Sequence, residues 1–345
     1  MNLNLETLRS IALGTAYVTE EENGFHFHRF TKEQEDLYKT TSFADKTDGT
    51  AGVKLCFKTD SRSLYLKTEV KKRSTRSFFA IDVFKNSEML GQITNIPSEG
   101  IKFVKGVLMP NNISLPLGIF EKKFDLGEGE KEITVYFPWS AEADIISAEI
   151  DDGAKIEPVR KKLKMLCFGD SITHGYDALS PSNTYSAILT DAISADSRNK
   201  GIGGEMFRPE LALCREDTDP DIITVSYGSN DWKKSASRDV FEKNCSEFYE
   251  AISKNYPNAK IFALTPIWRA DADNATSPVG TLDDVRNFIR ETASRLPNVT
   301  AIDTADFVPH DEKYFSDFYL HPNDEGFALF GKAIAKEIKK HLNMR

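Results

Sequence analysis

Up to about residue 155, apolar and polar positions alternate with a period of two. The alternation occurs in short segments rich in β-branched and aromatic residues, and it is clearest in AGVKLCFKTD (51–60), SLYLKTEV (63–70), SFFAIDVF (77–84) and KEITVYF (131–137). Such alternation is typical of strands with one buried face, and turn-like stretches such as TDSRS and LGEGEK separate the segments. Residues 1–155 are therefore predicted to form an antiparallel, jelly-roll-like β-sandwich.

The pattern changes after DDGAKIEPVRKK (151–162), whose proline and basic cluster are typical of a linker. Four apolar runs follow, LKMLCFG, DIITVSYG, AKIFALTP and NVTAID, and each precedes a segment with helical periodicity. Strands that alternate with helices predict a parallel sheet in a three-layer α/β domain. We expect this second domain to span residues 156–345.

Composition narrows the class of ligand and the compartment. The 345 residues carry a formal net charge of −9, and basic residues do not cluster with aromatic ones, so nucleic acid and anionic membranes are poor partners and neutral or cationic ligands fit better. The N-terminus has no basic start, and Arg9 interrupts its short apolar stretch, which predicts neither a signal peptide nor a membrane span. We expect a cytoplasmic protein with four reduced, buried cysteines.

Candidate catalytic groups lie where the predicted strands end. Ser171 follows the first of these strands, Gly204 lies in GIGGE, Asn230 follows the strand DIITVSYG, and His321 precedes the last helix. The carboxyl ends of parallel strands form the ligand crevice in such domains, so these residues should converge. A serine nucleophile needs a base, here His321, and oxyanion donors, here the Ser171 and Gly204 N–H groups and the Asn230 amide. This chemistry needs no metal or cofactor.

The four blocks GDS, GIGGE, GSND and HPND resemble the ordered motifs of the SGNH or GDSL hydrolases over residues 163–342. The β-sandwich in front of them is similar to the two-domain plan of carbohydrate esterase family 2. The resemblance implies an SGNH-hydrolase, flavodoxin-like catalytic domain and an enzyme that removes acetyl groups from plant polysaccharides. The sandwich would then bind carbohydrate, wall the crevice or build a homo-oligomer interface.

The acid of the catalytic group departs from the family pattern. The usual spacing is Asp-x-x-His, whereas DFYLH places Asp317 four positions before His321. If this segment were extended, the two α-carbons would lie roughly 13 Å apart. Either a turn through FYL brings Asp317 to the imidazole, which we favour, or a backbone carbonyl orients the ring and a Ser-His dyad remains.

Other residues have structural and functional interpretations. Trp232 and Trp268 are expected at the crevice mouth, where an aromatic face can stack on a sugar ring, although both could be core residues. Asp170 is expected to fix its loop. His26 and His28 alternate on one strand face and, without a third ligand, are expected to be structural.

These residues together predict a serine esterase that deacetylates carbohydrates through an acyl-enzyme. Two alternatives stay open. One is a hydrolase for short-chain lipid esters or thioesters, which the lack of a long apolar lid segment disfavours. The other is a carbohydrate-binding protein without catalysis, which the complete catalytic set disfavours.

Overall fold

The computed structural model describes residues 1–105, 114–273 and 277–344. Its first eleven strands lie before residue 159: β1 Ala12–Leu13, β2 Tyr17–Glu21, β3 Gly24–His28, β4 Lys54–Thr59, β5 Ser63–Lys72, β6 Ala80–Lys85, β7 Glu88–Thr94, β8 Gly118–Asp125, β9 Lys131–Tyr136, β10 Ala141–Ile150 and β11 Ile156–Pro158. Three helices accompany them: α1 Leu5–Ile11, α2 Lys32–Tyr38 and α3 Ala44–Thr47.

The eleven strands form two antiparallel sheets. One has the order β1-β4-β9-β6-β7, with β11 also paired to β4, and the other has the order β2-β3-β10-β5-β8. The period of two decides which side chains are buried. In β5, for example, Leu64, Leu66, Thr68 and Val70 are buried, while Tyr65, Lys67 and Glu69, which alternate with them, are partly exposed. The predicted β-sandwich is confirmed, and its jelly-roll connectivity stays a prediction.

The remaining helices and strands alternate along the chain. The strands are β12 Leu163–Gly169, β13 Ala195–Gly201, β14 Ile222–Ser226, β15 Lys260–Leu264 and β16 Val299–Ile302. The helices are α4 Ser171–His174, α5 Tyr185–Ala192, α6 Pro209–Leu213, α7 Ser229–Lys234, α8 Arg238–Asn255, α9 Leu282–Ser294 and α10 Asp324–His341, with 3₁₀ turns at Pro181–Asn183 and Glu312–Tyr314.

These five strands make a parallel sheet with the order β13-β12-β14-β15-β16. Successive residues of β12 face opposite layers. Leu166 and Phe168 pack in the cluster that contains α8 and α9, whereas Met165 and Cys167 pack in the cluster that contains α5 and α10. Helices therefore cover both faces of the sheet, and the predicted three-layer α/β class is confirmed.

The β-sandwich side of the chain packs firmly on the α/β side. The buried guanidinium of Arg29 donates hydrogen bonds to the carbonyls of Asn199 at 2.7 Å and Gly201 at 2.8 Å. The Trp139 indole N–H donates to the Ala178 carbonyl at 2.9 Å. The change of architecture falls near the predicted boundary at residue 155, although β11 beyond it still pairs with β4. The two-domain division stays a prediction.

Several smaller expectations also have an outcome. All four cysteines are free and buried. His26 Nδ1 lies 2.7 Å from Asp144 Oδ1, and His28 Nδ1 lies 2.8 Å from Glu35 Oε1, so both rings are held by carboxylates within the sandwich. Across the described ranges, no helix combines the length and apolarity that crossing a bilayer requires. The cytoplasmic location stays a prediction.

Candidate active site

Ser171 begins the one-turn helix α4 directly after β12. Asp170 caps this helix, because its Oδ1 accepts a hydrogen bond of 2.9 Å from the Ile172 N–H. Burial raises the pKa of Asp170 to about 6, and the Ile172 hydrogen bond opposes that shift. Asp170 thus fixes the loop as expected, and the Ser171 side chain lies at the carboxyl edge of the sheet.

Ser171, His321 and Asp317 form a continuous hydrogen-bonded chain. His321 Nε2 lies 2.8 Å from Ser171 Oγ, and His321 Nδ1 lies 2.7 Å from Asp317 Oδ2. The three side chains come from opposite ends of the α/β region, and 150 positions separate the serine from the histidine. This arrangement has the geometry of a nucleophile, a base and an orienting acid.

A tight turn closes the unusual spacing between Asp317 and His321. Phe318 adopts a left-handed backbone with φ of 63°, and Asp317 Oδ1 accepts the N–H groups of Tyr319, Leu320 and His321 at 3.1, 2.8 and 3.0 Å. The Asp317 carboxylate therefore stabilises this turn through Oδ1, and its other oxygen, Oδ2, faces the imidazole. Of the two arrangements that the sequence left open, the chain adopts the turn.

The charges of this group are matched to one another. Burial alone would raise the pKa of Asp317, but the His321 charge and the hydrogen bonds from the ring and the backbone lower it to about 2. Burial alone would lower the pKa of His321, but the Asp317 and Asp177 carboxylates raise it above its ordinary value. The Asp317 carboxylate is thus ionised at neutral pH, and a positive charge on the His321 ring is stabilised.

A second carboxylate, which no sequence motif indicates, lies near His321. Asp177 Oδ2 lies 3.6 Å from His321 Nδ1 and is fully buried. Arg76, which lies between β5 and β6 of the sandwich, holds this carboxylate through Nε at 2.6 Å and Nη2 at 3.0 Å. An ion pair between the two halves of the chain therefore supports the base.

Two glycines and an amide lie on the side of the crevice where the oxyanion donors are predicted. Gly204 has a φ of 94°, a conformation that favours glycine, and a Cβ on Gly203 would lie 2.4 Å from the Tyr176 ring. Asn230 Nδ2 donates to the Glu205 carbonyl at 3.0 Å, which orients the amide and leaves its second N–H available. Among the described residues, no acceptor contacts the N–H of Ser171 or Gly204.

His174 is a further supporting residue, to which the sequence assigned no role. Its Nδ1 accepts the Gly203 N–H at 3.1 Å, which fixes the loop that carries Gly204. Complete burial, together with the nearby Arg29 and Lys46 charges, lowers the pKa of His174 well below its ordinary value. The ring is therefore neutral, as an acceptor at Nδ1 requires.

The crevice is a cavity of about 320 Å³ in which Ser171, His321, Gly204 and Asn230 meet. Helix α7 contributes Asn230 and also Lys233 and Lys234, since residues three and four positions apart share a helix face.

The β-sandwich also contributes to the crevice, through Lys46 and Thr75, and Arg269 and Tyr319 complete the polar wall. Residues from the segment 1–155 therefore form part of the crevice wall. Although the chain as a whole carries a net negative charge, most of the charged side chains that line this crevice are positive.

The two tryptophans lie elsewhere. Trp232 is completely buried, and its indole donates to the Gly280 carbonyl at 2.8 Å. Its predicted role as a stacking surface is wrong, because two positions along helix α7 turn a side chain by about 200° from Asn230 and toward the core. Trp268 stacks on His310 at 5.4 Å and contacts Phe315. Its contact with substrate stays a prediction.

Within the described part of the chain, two groups of side chains have potential ligand atoms within 4.8 Å of one another: Asp177, Asp317 and His321, and His26, Glu142 and Asp144. Cationic side chains already occupy their carboxylates. Arg76 holds the first group, and Lys71 contacts Glu142 at 2.9 Å and Asp144 at 2.7 Å in the second. Both groups are therefore charge-matched within the chain.

Residues 167–329 match the model of the GDSL-like Lipase/Acylhydrolase family. The protein carries a GDSL-like acylhydrolase domain. No curated protein matches the chain significantly. The matched residues contain Ser171, Gly204, Asn230 and His321, and the match agrees with the SGNH/GDSL resemblance that the four motifs predicted for this part of the chain.

Solved structures resemble the whole chain, including the β-sandwich. The salicylyl-acyltransferase SsfX3 of a tetracycline biosynthetic pathway has a TM-score of 0.82 at 18% identity, covering 99% of this chain and 97% of its own. A protein from Bacteroides ovatus that is assigned as a GDSL-like lipase has a TM-score of 0.76 at 19% identity, and the match covers 100% of this chain and 98% of that protein. A family two carbohydrate esterase from Clostridium thermocellum has a TM-score of 0.66 at 14% identity, and the match covers 96% of this chain and 98% of the esterase. These likenesses establish the shared two-part fold.

Proposed function

We propose that the protein is a serine esterase that removes acetyl groups from acetylated oligosaccharides or polysaccharides. The observation that carries this proposal is the chain of hydrogen bonds from Ser171 through His321 to Asp317, with distances of 2.8 and 2.7 Å. The family of the α/β domain and the carbohydrate esterases among its structural neighbours support the reaction class and the substrate class.

In the first half of the proposed reaction, Ser171 Oγ attacks the ester carbonyl while its proton passes to His321 Nε2. The N–H groups of Ser171 and Gly204 and the free amide N–H of Asn230 would stabilise the oxyanion. His321 then protonates the departing sugar hydroxyl, which leaves an acetyl-serine. Asp317 holds Nδ1 and offsets the positive charge on the ring throughout.

In the second half, His321 takes a proton from water, and the resulting attack releases acetate and restores Ser171. The cavity of about 320 Å³ suits a small acyl group beside a polar alcohol. Its wall carries lysines, an arginine and an amide, and this polarity weighs against the alternative of a lipid ester. The charge-matched triad likewise weighs against a protein that only binds carbohydrate.

Release of acetate from acetylated mannan, xylan and cello-oligosaccharides tests the proposal. We expect wild-type protein to release acetate from at least one of these and His321→Ala to release none above background. Hydrolysis confined to aryl or lipid esters would contradict the carbohydrate assignment. Homo-oligomer formation stays a prediction that size-exclusion chromatography with light scattering would test.

A further inference from the structure

Four cationic side chains line the crevice, and their pairing divides them into two kinds. Arg269 Nε lies 2.6 Å from Asp271, and Lys233 Nζ lies 3.5 Å from the same carboxylate. For Lys46 and Lys234, by contrast, the described residues supply no carboxylate within 4.0 Å. The segments 106–113 and 274–276 contain no acidic residue that could supply one.

Backbone carbonyls aim these two lysines at the same place. Lys46 Nζ donates to the Gly203 carbonyl, and Lys234 Nζ donates to the Gly204 carbonyl at 3.3 Å. Both ammonium nitrogens lie within 4.0 Å of the point that a Cβ on Gly204 would occupy. Two positive charges therefore converge beside the glycine that we place in the oxyanion site.

This convergence is unfavourable when the crevice is empty. Burial and the positive charge of Lys234 lower the pKa of Lys46, and the negative charge of Glu205 offsets part of that shift. Each ammonium gives one hydrogen to a carbonyl and has further hydrogens left to donate. An anion between them would accept those hydrogens and also offset the repulsion, whereas a neutral sugar or an acetyl group can accept hydrogens but carries no negative charge.

We propose that Lys46 and Lys234 together bind an anionic group on the substrate, so that the preferred substrate is an acetyl ester of an acidic sugar. This inference rests on the proposed esterase function and narrows it. A carboxylate, as in a uronic acid, is the group we assign. The same two ammoniums would also accept a sulfate ester, which the test below separates from a carboxylate. One lysine comes from each half of the chain, so the β-sandwich contributes directly to substrate selection.

Matched acetyl esters test the charge preference. The substrates are mono-O-acetylated methyl glucuronosides, the corresponding methyl glucosides, and methyl glucoside 6-sulfates. We expect wild-type kcat/KM to be at least about tenfold higher for the glucuronosides than for the glucosides, because hydrogen bonds to charged groups are worth that factor or more. Lys46→Met/Lys234→Met should remove this ratio, and Lys46→Arg/Lys234→Arg should restore part of it.

Lys332→Met is the control, because it removes an exposed lysine from α10. It should leave the ratio unchanged. If the double methionine variant does not fold, Lys234→Met alone, at an exposed position, should lower the ratio. Equal kcat/KM for charged and neutral esters in wild type, or a ratio that survives loss of both lysines, would overturn the inference. A preference for the sulfates alone would overturn the carboxylate assignment.

Calorimetry separates failure of this inference from failure of the proposed function. Methyl glucuronoside should bind wild-type protein more tightly than methyl glucoside does, and binding should weaken as pH rises through the lowered pKa of Lys46. If no ester is hydrolysed but glucuronoside binds in a lysine-dependent way, the esterase proposal fails and the anion site stands. If neutral esters are hydrolysed and glucuronoside binds no better than glucoside, the esterase proposal stands and the anion site fails.

Discussion

Replacing Asp317 by asparagine tests how the catalytic histidine is oriented. The change keeps the size of the side chain but removes the charge that lies 2.7 Å from His321 Nδ1. A hydrogen bond to a charged group contributes about 1.5–3 kcal/mol, which corresponds to a loss of about 10- to 150-fold in kcat/KM. Asp177, 3.6 Å from the same nitrogen, stays in place and should keep the loss within this range.

The pH profile gives the same prediction a second readout. His321 acts as a base only when neutral, so kcat/KM rises as pH rises through its pKa. Asp317 and Asp177 raise that pKa, so removing the Asp317 charge should lower it and move the acid limb of the profile to lower pH. Asp317 itself, with a pKa of about 2, is ionised across the working range and adds no limb there.

The assay is hydrolysis of 4-nitrophenyl acetate from pH 5 to 9, with folding checked by circular dichroism. Asp306→Asn is a matched control, because Asp306 and His310 form an exposed aspartate–histidine pair with the same spacing at 3.0 Å. It should leave both rate and profile unchanged. A folded Asp317→Asn variant within tenfold of wild type, with an unmoved acid limb, would refute the orienting role of this carboxylate.

Three further expectations concern the acyl pocket, the oxyanion loop and the sandwich. The small polar crevice should hydrolyse 4-nitrophenyl acetate much faster than the octanoate, and comparable rates would favour the lipid-ester alternative. Gly204→Ala and Gly129→Ala both place alanine at a positive φ, so each should lower the free energy of unfolding, measured by thermal melting, by about 1–2 kcal/mol. Of the two variants, only Gly204→Ala should also lower kcat. Residues 156–345 expressed alone should be insoluble or poorly active, because Arg76 holds Asp177 from the sandwich side; a soluble fragment with full activity would disprove this.

Local patterns were sufficient to predict the layers and the principal site residues. Periods of two and 3.6 depend on neighbours in sequence, so the sandwich and the parallel sheet could be inferred without tertiary information. Ser171, Gly204, Asn230 and His321 could be found because each follows a strand or precedes a helix at one sheet edge. The structure brings all four to one cavity.

Contacts between distant segments could not be inferred in this way. Arg76 and Asp177 are 101 positions apart, and neither lies in a motif. Lys46 reaches the crevice only because the sandwich packs against the sheet. The turn at Phe318 needs a positive φ that a bulky residue rarely adopts, and the carboxylate of Asp317 stabilises it through three N–H groups. Trp232 was misplaced because the sequence does not show where helix α7 begins.

We assign Ser171 as the nucleophile, and measuring acetate release by Ser171→Ala tests this assignment. The variant removes one hydroxyl beside the His321 ring and leaves the surrounding packing intact, so its melting temperature should stay close to that of wild type. Ser294→Ala, in which an exposed hydroxyl that bonds only its own helix is lost, serves as the control. We expect acetate release by Ser171→Ala to fall to the uncatalysed background while Ser294→Ala matches wild type. A folded Ser171→Ala variant that retains wild-type turnover would show that Ser171 is not the nucleophile.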